Sequence, residues 1–221
     1  MLNNLLFVLQ SLVISLFAVG AIFLGSNALC TFISFCWLMG NLFVMKEVML
    51  FGLSVVSTDV FAIGADLGLT MLREYYGKQD VKRAIIISCF SIIFFLISAQ
   101  FLIWYSPTAH DISHEHFAFL FGYLPRIMLS SLAVSTTSKF IALWIGNKLN
   151  HLFNGHHLKL RTFIALASAQ FIDTTLFVFC ALYGEVESPF KIIAFSYAIK
   201  CLSILIMIPA VTTIHSYIRK K

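Results

Sequence analysis

Charge is what this chain has least of. Of 221 residues only 11% are Asp, Glu, Lys or Arg, against 60% hydrophobic, and the mean hydropathy is +0.92. An ordinary soluble domain carries about 25% charged residues. The chain therefore cannot coat a water-facing surface, which excludes a soluble globular fold and a disordered chain alike. The net charge of +5 comes without any run of Lys or Arg long enough to track phosphates, so no nucleic-acid partner is expected. Metal-ligand spacing is also missing. The five cysteines, Cys30, Cys36, Cys89, Cys180 and Cys201, stand apart in apolar stretches with no CxxC or Cys/His pattern, and read as small hydrophobic side chains. No HExxH or GxSxG occurs, which argues against an intramembrane enzyme. No cofactor or metal is expected. Residues Met1 to Asn4 bring no positive side chain and no small-residue cleavage site follows, so the first apolar segment reads as a retained span rather than a signal peptide.

What is present is long apolar runs. A spanning helix needs about 20 apolar residues, and seven such segments follow one another at roughly 5–24, 28–51, 55–76, 84–106, 118–147, 160–183 and 190–216. The expected fold is all-α, a polytopic membrane helix bundle forming one domain over 1–221 in the cell (inner) membrane. Loop charge orients it. Arg73, Lys78, Lys82 and Arg83 follow segment three; Lys148, Lys159 and Arg161 follow segment five; Arg219, Lys220 and Lys221 end the chain. The alternate loops are acidic, with Asp111 and Glu115 in one and Glu185 and Glu187 in another. The alternation predicts the C-terminus inside and the N-terminus outside. Lys46 and Lys191 run against it at outer helix ends, each with a local acid, Glu47 and Glu187. His110, His114 and His116 share their loop with Asp111 and Glu115 and read as a solvated loop rather than a metal site.

Ionisable side chains within spans are costly, roughly 2.5–3.5 kcal/mol each on an insertion scale. Yet segment three has Asp59 and Asp66, segment five Arg126 and Lys139, segment six Asp173 and segment seven Lys200, three acids against three bases. At about 1.5 Å per residue, Asp173 and Lys200 fall near the middle of a hydrocarbon core about 30 Å thick. Arg126 is shallower and could snorkel. Helical spacing puts Gln170, Asp173 and Thr174 on one side of segment six, Ser196, Lys200 and Ser203 on one side of segment seven, and Arg126, Ser130 and Thr137 along segment five. Two readings are open: the stripes enclose a small hydrated pocket, or they form a static polar network holding helices together. Gly64-Ala65-Asp66-Leu67-Gly68 is a GxxxG allowing close helix approach, expected within the bundle rather than at a dimer seam; a homo-oligomer is the alternative.

Several short matches occur in order over residues 28–217. Glu74-Tyr75-Tyr76-Gly77 with Lys82-Arg83 resembles the EVYG…ARR boundary of the queuosine precursor transporters, also called vitamin-uptake-transporter-like proteins. Pro125-Arg126-Ile127 resembles their PRI, Gln170-Phe171-Ile172-Asp173-Thr174 their (Q/N)xxDT, Tyr197-Ala198-Ile199-Lys200 with Pro209 their YxxK…P, and Asn41 with Lys46 their N…K. The resemblance implies import of a 7-deazaguanine base (7-cyano-7-deazaguanine, its 7-aminomethyl relative, or queuine) for tRNA modification. It also implies a six-helix core similar to the substrate-binding subunits of energy-coupling-factor importers but acting alone, with residues 1–27 as an added span. Asn41, Arg126, Gln170, Asp173, Tyr197 and Lys200 become candidate substrate-binding residues, and Asp59, Asp66, Glu74 and Lys139 coupling or pocket residues. Thr70 stands where many members have aspartate, and Lys139 and Ala142 where they have the glutamine and aspartate of GQxLD.

The chemistry suits such a ligand. A guanine-like edge offers adjacent N–H donors that a carboxylate accepts in a bidentate pair, a role open to Asp173. Gln170 could read the neighbouring carbonyl or ring nitrogen, since an amide both donates and accepts. Lys200 or Arg126 could meet the exocyclic oxygen, and Tyr197 could cover the ring. The alternatives are a substrate-capture subunit needing an ATPase, whose AxxxA docking surface is not identifiable here, and a structural subunit of a larger membrane complex.

Overall fold

The computed structural model describes residues 2–56, 58–154, 156–181 and 189–218, the side chains of Ala181 and of 210–218 excepted. The acidic loop with Glu185 and Glu187, the proposed Lys191–Glu187 pair and the basic tail 219–221 lie outside the described residues. Seven helices run in chain order: α1 Leu2–Leu24, α2 Ser26–Leu42, α3 Asp59–Tyr75, α4 Lys78–Trp104, α5 His114–Leu152, α6 Leu158–Ala181 and α7 Pro189–Ile218. Five, α1 and α4 to α7, are long and apolar enough to cross a membrane. The other two, α2 and α3, have 17 residues each, about 25 Å at the helical rise.

The segment expected as a single helix over 28–51 is not one. Helix α2 stops at Leu42, and an antiparallel hairpin follows, β1 Glu47–Leu50 paired with β2 Leu53–Val56, before α3 begins at Asp59. The physical reason lies in the turn and in the side chains around it. Phe51 and Gly52 both have positive φ, 51° and 82°, as a two-residue type I′ hairpin turn requires. The strands also alternate, with Leu50 and Val55 buried and Glu47, Met49 and Ser54 exposed. Helix α1 secures the hairpin from outside the sheet: Asn3 Nδ2 donates to Met49 O at 3.1 Å and Phe51 N donates to Asn4 Oδ1 at 3.0 Å.

The core is continuous through α1, α2, α3 and α7. The glycine pair of α3 is used inside the bundle. A Cβ on Gly64 would lie 2.5 Å from Ile14 Cγ2 of α1, and one on Gly68 2.7 Å from Ile33 Cγ1 of α2. Only glycine lets these backbones close to that separation. Helices α2 and α4 are joined by a buried Ser34–Ser88 hydroxyl bond of 3.0 Å.

Helix α5 has 39 residues, about 58 Å, so it starts before and ends after the expected 118–147. Its first turn is capped by the loop read as solvated. Asp111 Oδ1 accepts from Ser113 N at 2.8 Å, Ser113 Oγ at 2.7 Å and His114 N at 3.2 Å. The Ser113 hydroxyl, then its backbone N–H, hold the Asp111 carboxyl below its ordinary pKa. Pro125 sits inside α5 and has no N–H to give Phe121 O. Gln100 of α4 supplies the missing donor, its Nε2 reaching Phe121 O at 3.3 Å.

Candidate functional site

Helices α2, α3, α5, α6 and α7 and the end of strand β2 line a partly open cavity, with about 90 Å³ of space open to the centres of water molecules. That is room for several waters, each needing roughly 10–15 Å³ on this measure. Asn41, Asp59, Lys139, Gln170, Asp173 and Lys200 all line it. Val56 at the end of the hairpin and Val44 before it also line the cavity. Trp37 and Phe177 supply its aromatic surface.

Two acid–base groups are built into the walls. In the first, Lys200 Nζ of α7 lies 3.3 Å from Asp173 Oδ2 of α6 and 3.8 Å from Asp59 Oδ1 of α3, and donates to Thr174 Oγ1 at 3.0 Å. The serine hydroxyls complete it: Ser135 Oγ donates to Asp173 Oδ1 at 3.0 Å and Ser196 Oγ to Asp59 Oδ2 at 2.9 Å. In the second, Lys139 Nζ of α5 pairs with Asp66 Oδ1 of α3 at 3.2 Å, and Gln170 Nε2 donates to Asp66 Oδ2. Lys139 also lies 4.4 Å over the Trp37 ring, a cation–π contact. Removing one member of such a buried pair typically costs about 3–5 kcal/mol, because its partner is left as an uncompensated charge.

Two residues of the wall each carry a polar atom with no partner among the described residues. Gln170 Oε1 and Trp37 Nε1 are buried without a hydrogen bond, and their residues are 3% and 4% exposed. Buried polar atoms are ordinarily satisfied. One acceptor and one donor on residues of the wall are thus left without a bond.

Beyond Lys139 and Asp66 a smaller cavity continues along α3 and α6, lined by Thr70, Arg73 and Thr162 among others. It leads towards a third cluster, in which Glu74 Oε1 meets Arg73 Nη2 at 3.1 Å and Glu74 Oε2 meets Arg161 Nη2 at 3.0 Å, while Arg161 Nη1 donates to Asn150 Oδ1. Glu74 thus ties α3 to the start of α6 and stands apart from the main cavity.

The structure gathers Asn41, Asp59, Lys139, Gln170, Asp173 and Lys200 at the cavity, with Asp66 directly behind it. It does not bring Arg126 or Tyr197 there. Arg126 is exposed and off the cavity wall. Tyr197 is half-buried and packs edge-on to Phe171 at 5.4 Å, away from the wall. The polar stripe expected along α5 through Arg126, Ser130 and Thr137 is the wrong side. Thr137 is exposed and bonds back to Ala133 O. The inward side carries Ser131, Ser135 and Lys139, spaced by four, one helical turn each. Trp37 and Ser135 escaped the sequence reading although each had a signal: Trp37 is one turn from Asn41, whose Nδ2 donates to its carbonyl at 2.8 Å, and Ser135 is one turn from Lys139.

Residues 66–214 match the family described as "Putative vitamin uptake transporter". A relative named "Probable queuosine precursor transporter" from Bacillus subtilis (strain 168) is 27% identical over 200 residues, covering 89% of this chain and 85% of the relative. No solved structure matches the chain significantly. The family match takes in α4 to α6, most of α3 and nearly all of α7, and five helices have the length and hydropathy of membrane spans; the chain is a multi-pass membrane protein belonging to the "Putative vitamin uptake transporter" family, a family of transporters and not of enzymes.

Proposed function

We propose that this protein imports a queuosine precursor, a 7-deazaguanine base, through the cavity between α2, α3, α5, α6 and α7, and does so without a dedicated ATPase. The observation that carries the reading is the pair of open polar atoms, Gln170 Oε1 and Trp37 Nε1, beside the Asp173–Lys200 pair. The base's ring or amino N–H donates to Gln170, and a ring nitrogen or carbonyl accepts from Trp37. Asp173 already holds Ser135 and Lys200, but a carboxylate offers about four lone-pair sites, so its oxygens have room for the guanine-like N–H edge as well. Trp37 and Phe177 replace Tyr197 as the rings that cover the base. The name of the Bacillus subtilis relative and the ordered motifs support the same ligand class.

In this reading all seven helices span the membrane, with the N-terminus outside and the C-terminus inside. The hairpin then lies on the outer side over the cavity, Asp66 and Lys139 lie deeper, and the Arg73–Glu74–Arg161 cluster lies at the cytoplasmic rim. The test is uptake by cells that neither synthesise nor otherwise import a precursor, read as queuosine in their tRNA. Expression of this chain restores it, and Asp173→Asn reduces it by at least tenfold. Purified protein in vesicles without any ATPase accumulates the labelled base. Absence of queuosine in complemented cells refutes the import reading, and a strict need for an ATPase refutes solitary action.

A further inference from the structure

Between the main cavity and the turn from α3 to α4, helices α3, α5 and α6 meet in two polar layers. In the first, Asp66 of α3 holds Lys139 of α5 at 3.2 Å and accepts from Gln170 of α6. In the second, Glu74 of α3 meets Arg161 of α6 at 3.0 Å, and Arg161 donates to Asn150 of α5. Arg73 of α3 lies there against the backbone of α5 at Gly146, where a Cβ would overlap its guanidinium. Asp66 and Arg73 stand seven residues apart, as do Lys139 and Gly146, so α3 and α5 each serve both layers from one face, two turns apart. The inner cavity lies between the layers, with Thr70, Ala142 and Thr162 on its wall and about 20 Å³ of space. At roughly 10–15 Å³ for each water, it admits one or two waters and no bicyclic base. Lys139 borders both cavities and so stands in the partition between them.

The backbone of α3 lies close to those of α1, α2, α4 and α7. Among the described residues it does not pack in that way on α5 and α6, which it reaches through side chains, while α5 and α6 pack closely on each other. The layers are therefore the closure of a seam. Their contacts are also ones that can be given up. Glu74 keeps its neighbour Arg73 at 3.1 Å when it leaves Arg161, and Arg161 keeps Asn150. Lys139 and Asp66 each face a cavity where water hydrates them once they part. We propose that these two layers are the inner gate of the import path: the base leaves along the seam between α3 and the α5–α6 pair, when Asp66 parts from Lys139 and Gln170 and Glu74 parts from Arg161. The gate rests on the import reading and its orientation. It gives Arg73, Glu74 and Arg161 a part in turnover and none in holding the base, since all three stand off the main cavity.

The first test locks the seam. Thr70 of α3 and Ala142 of α5 both line the inner cavity, within reach of a short bifunctional methanethiosulfonate once each is replaced by cysteine. Thr70→Cys/Ala142→Cys is made in full-length protein whose five native cysteines are replaced by alanine. Cross-linking is expected to lower uptake of labelled 7-cyano-7-deazaguanine into vesicles at least tenfold, to change equilibrium binding of that base less than threefold, and to be reversed by reduction. Unchanged uptake by the cross-linked protein overturns the gate and leaves import standing. A loss of binding as large as the loss of uptake also overturns it, because the seam then belongs to the binding site. Neither uptake nor binding by the unaltered protein overturns the import reading itself. The second test keeps the native cysteines. Gly146→Ala displaces Arg73 while adding a better helix former, so poorer folding is not its expected effect. In Ala142→Cys protein it raises labelling of the peptide containing residue 142, by a membrane-impermeant thiol reagent from the cytoplasmic side, at least threefold. Unchanged labelling overturns the part given to the second layer.

Discussion

Among the described residues Lys200 is the one cation between the buried carboxylates Asp59 and Asp173, so Lys200→Met measures the cost of stranding them. Methionine keeps most of the lysine stem's volume and removes the ammonium. Asp173 Oδ2 then loses its 3.3 Å partner, Asp59 Oδ1 its 3.8 Å partner, and Thr174 Oγ1 its donor. Stranding buried charge in this way costs about 3–5 kcal/mol. At roughly 2–4 °C per kcal/mol for a chain of this size, the melting temperature of the purified protein in mild detergent falls by about 6–20 °C. The double variant Lys200→Met/Asp173→Leu separates pairing from mere bulk. It removes a stranded carboxylate and leaves Asp59 with Ser196 and the α3 N-terminus, so it melts higher than Lys200→Met alone. A Lys200→Met protein that melts within about 2 °C of the parent, less than 1 kcal/mol, refutes the claim that the pair is buried and coupled. So does a double variant showing the sum of the two single losses, since independent sites add and coupled ones do not.

Gly64→Leu forces Ile14 aside, because even a Cβ there lies 2.5 Å from Ile14 Cγ2; a loss of about 1–3 kcal/mol in thermal stability is expected, and Ile14→Ala recovers part of it. Gln100→Leu removes the donor that serves Phe121 O above Pro125, costing about 1 kcal/mol, and the cost shrinks in a Pro125→Ala background because residue 125 regains its own N–H. Asp111 caps α5 through three donors. Its pKa lies below the ordinary carboxylate value, so the cap is fully present above that ordinary value and is lost as pH falls through the lowered one. Amide exchange in residues 114–117, followed at a range of acidic pH values and corrected for intrinsic rates, shows protection disappearing in that direction.

The cavity side chains were legible where polarity was anomalous. Gln170, Asp173, Thr174, Ser196 and Lys200 stand out because each interrupts a span, and helical spacing alone put them on common faces that the structure brings together at one cavity. The α5 face was misread for the same reason in reverse. Arg126 is the strongest polar signal on that helix, and a stripe drawn from it passes through Thr137 on the exposed side instead of through Ser135. Charge near the end of a span reports access to the rim as readily as it reports a pocket. The hairpin was hidden because Val48, Leu50, Leu53 and Val55 raise the hydropathy of a ten-residue stretch as a helix would. The distinguishing period of two is short, and the turn at Phe51-Gly52 lacks the Asn-Gly or Asp-Gly pair that usually announces type I′. The open valences of Trp37 and Gln170 are matters of which atom meets which, and no periodicity carries that information.

Helix α1 gives the cavity no wall residue, yet Asn3 and Asn4 hold the hairpin whose last residue, Val56, lines it. If the cavity binds the imported base as proposed, α1 acts on entry and exit rather than on the bound state. Loosening the hairpin through Asn3→Ala and Asn4→Ala then raises association and dissociation rates together and leaves their quotient, the affinity, unchanged.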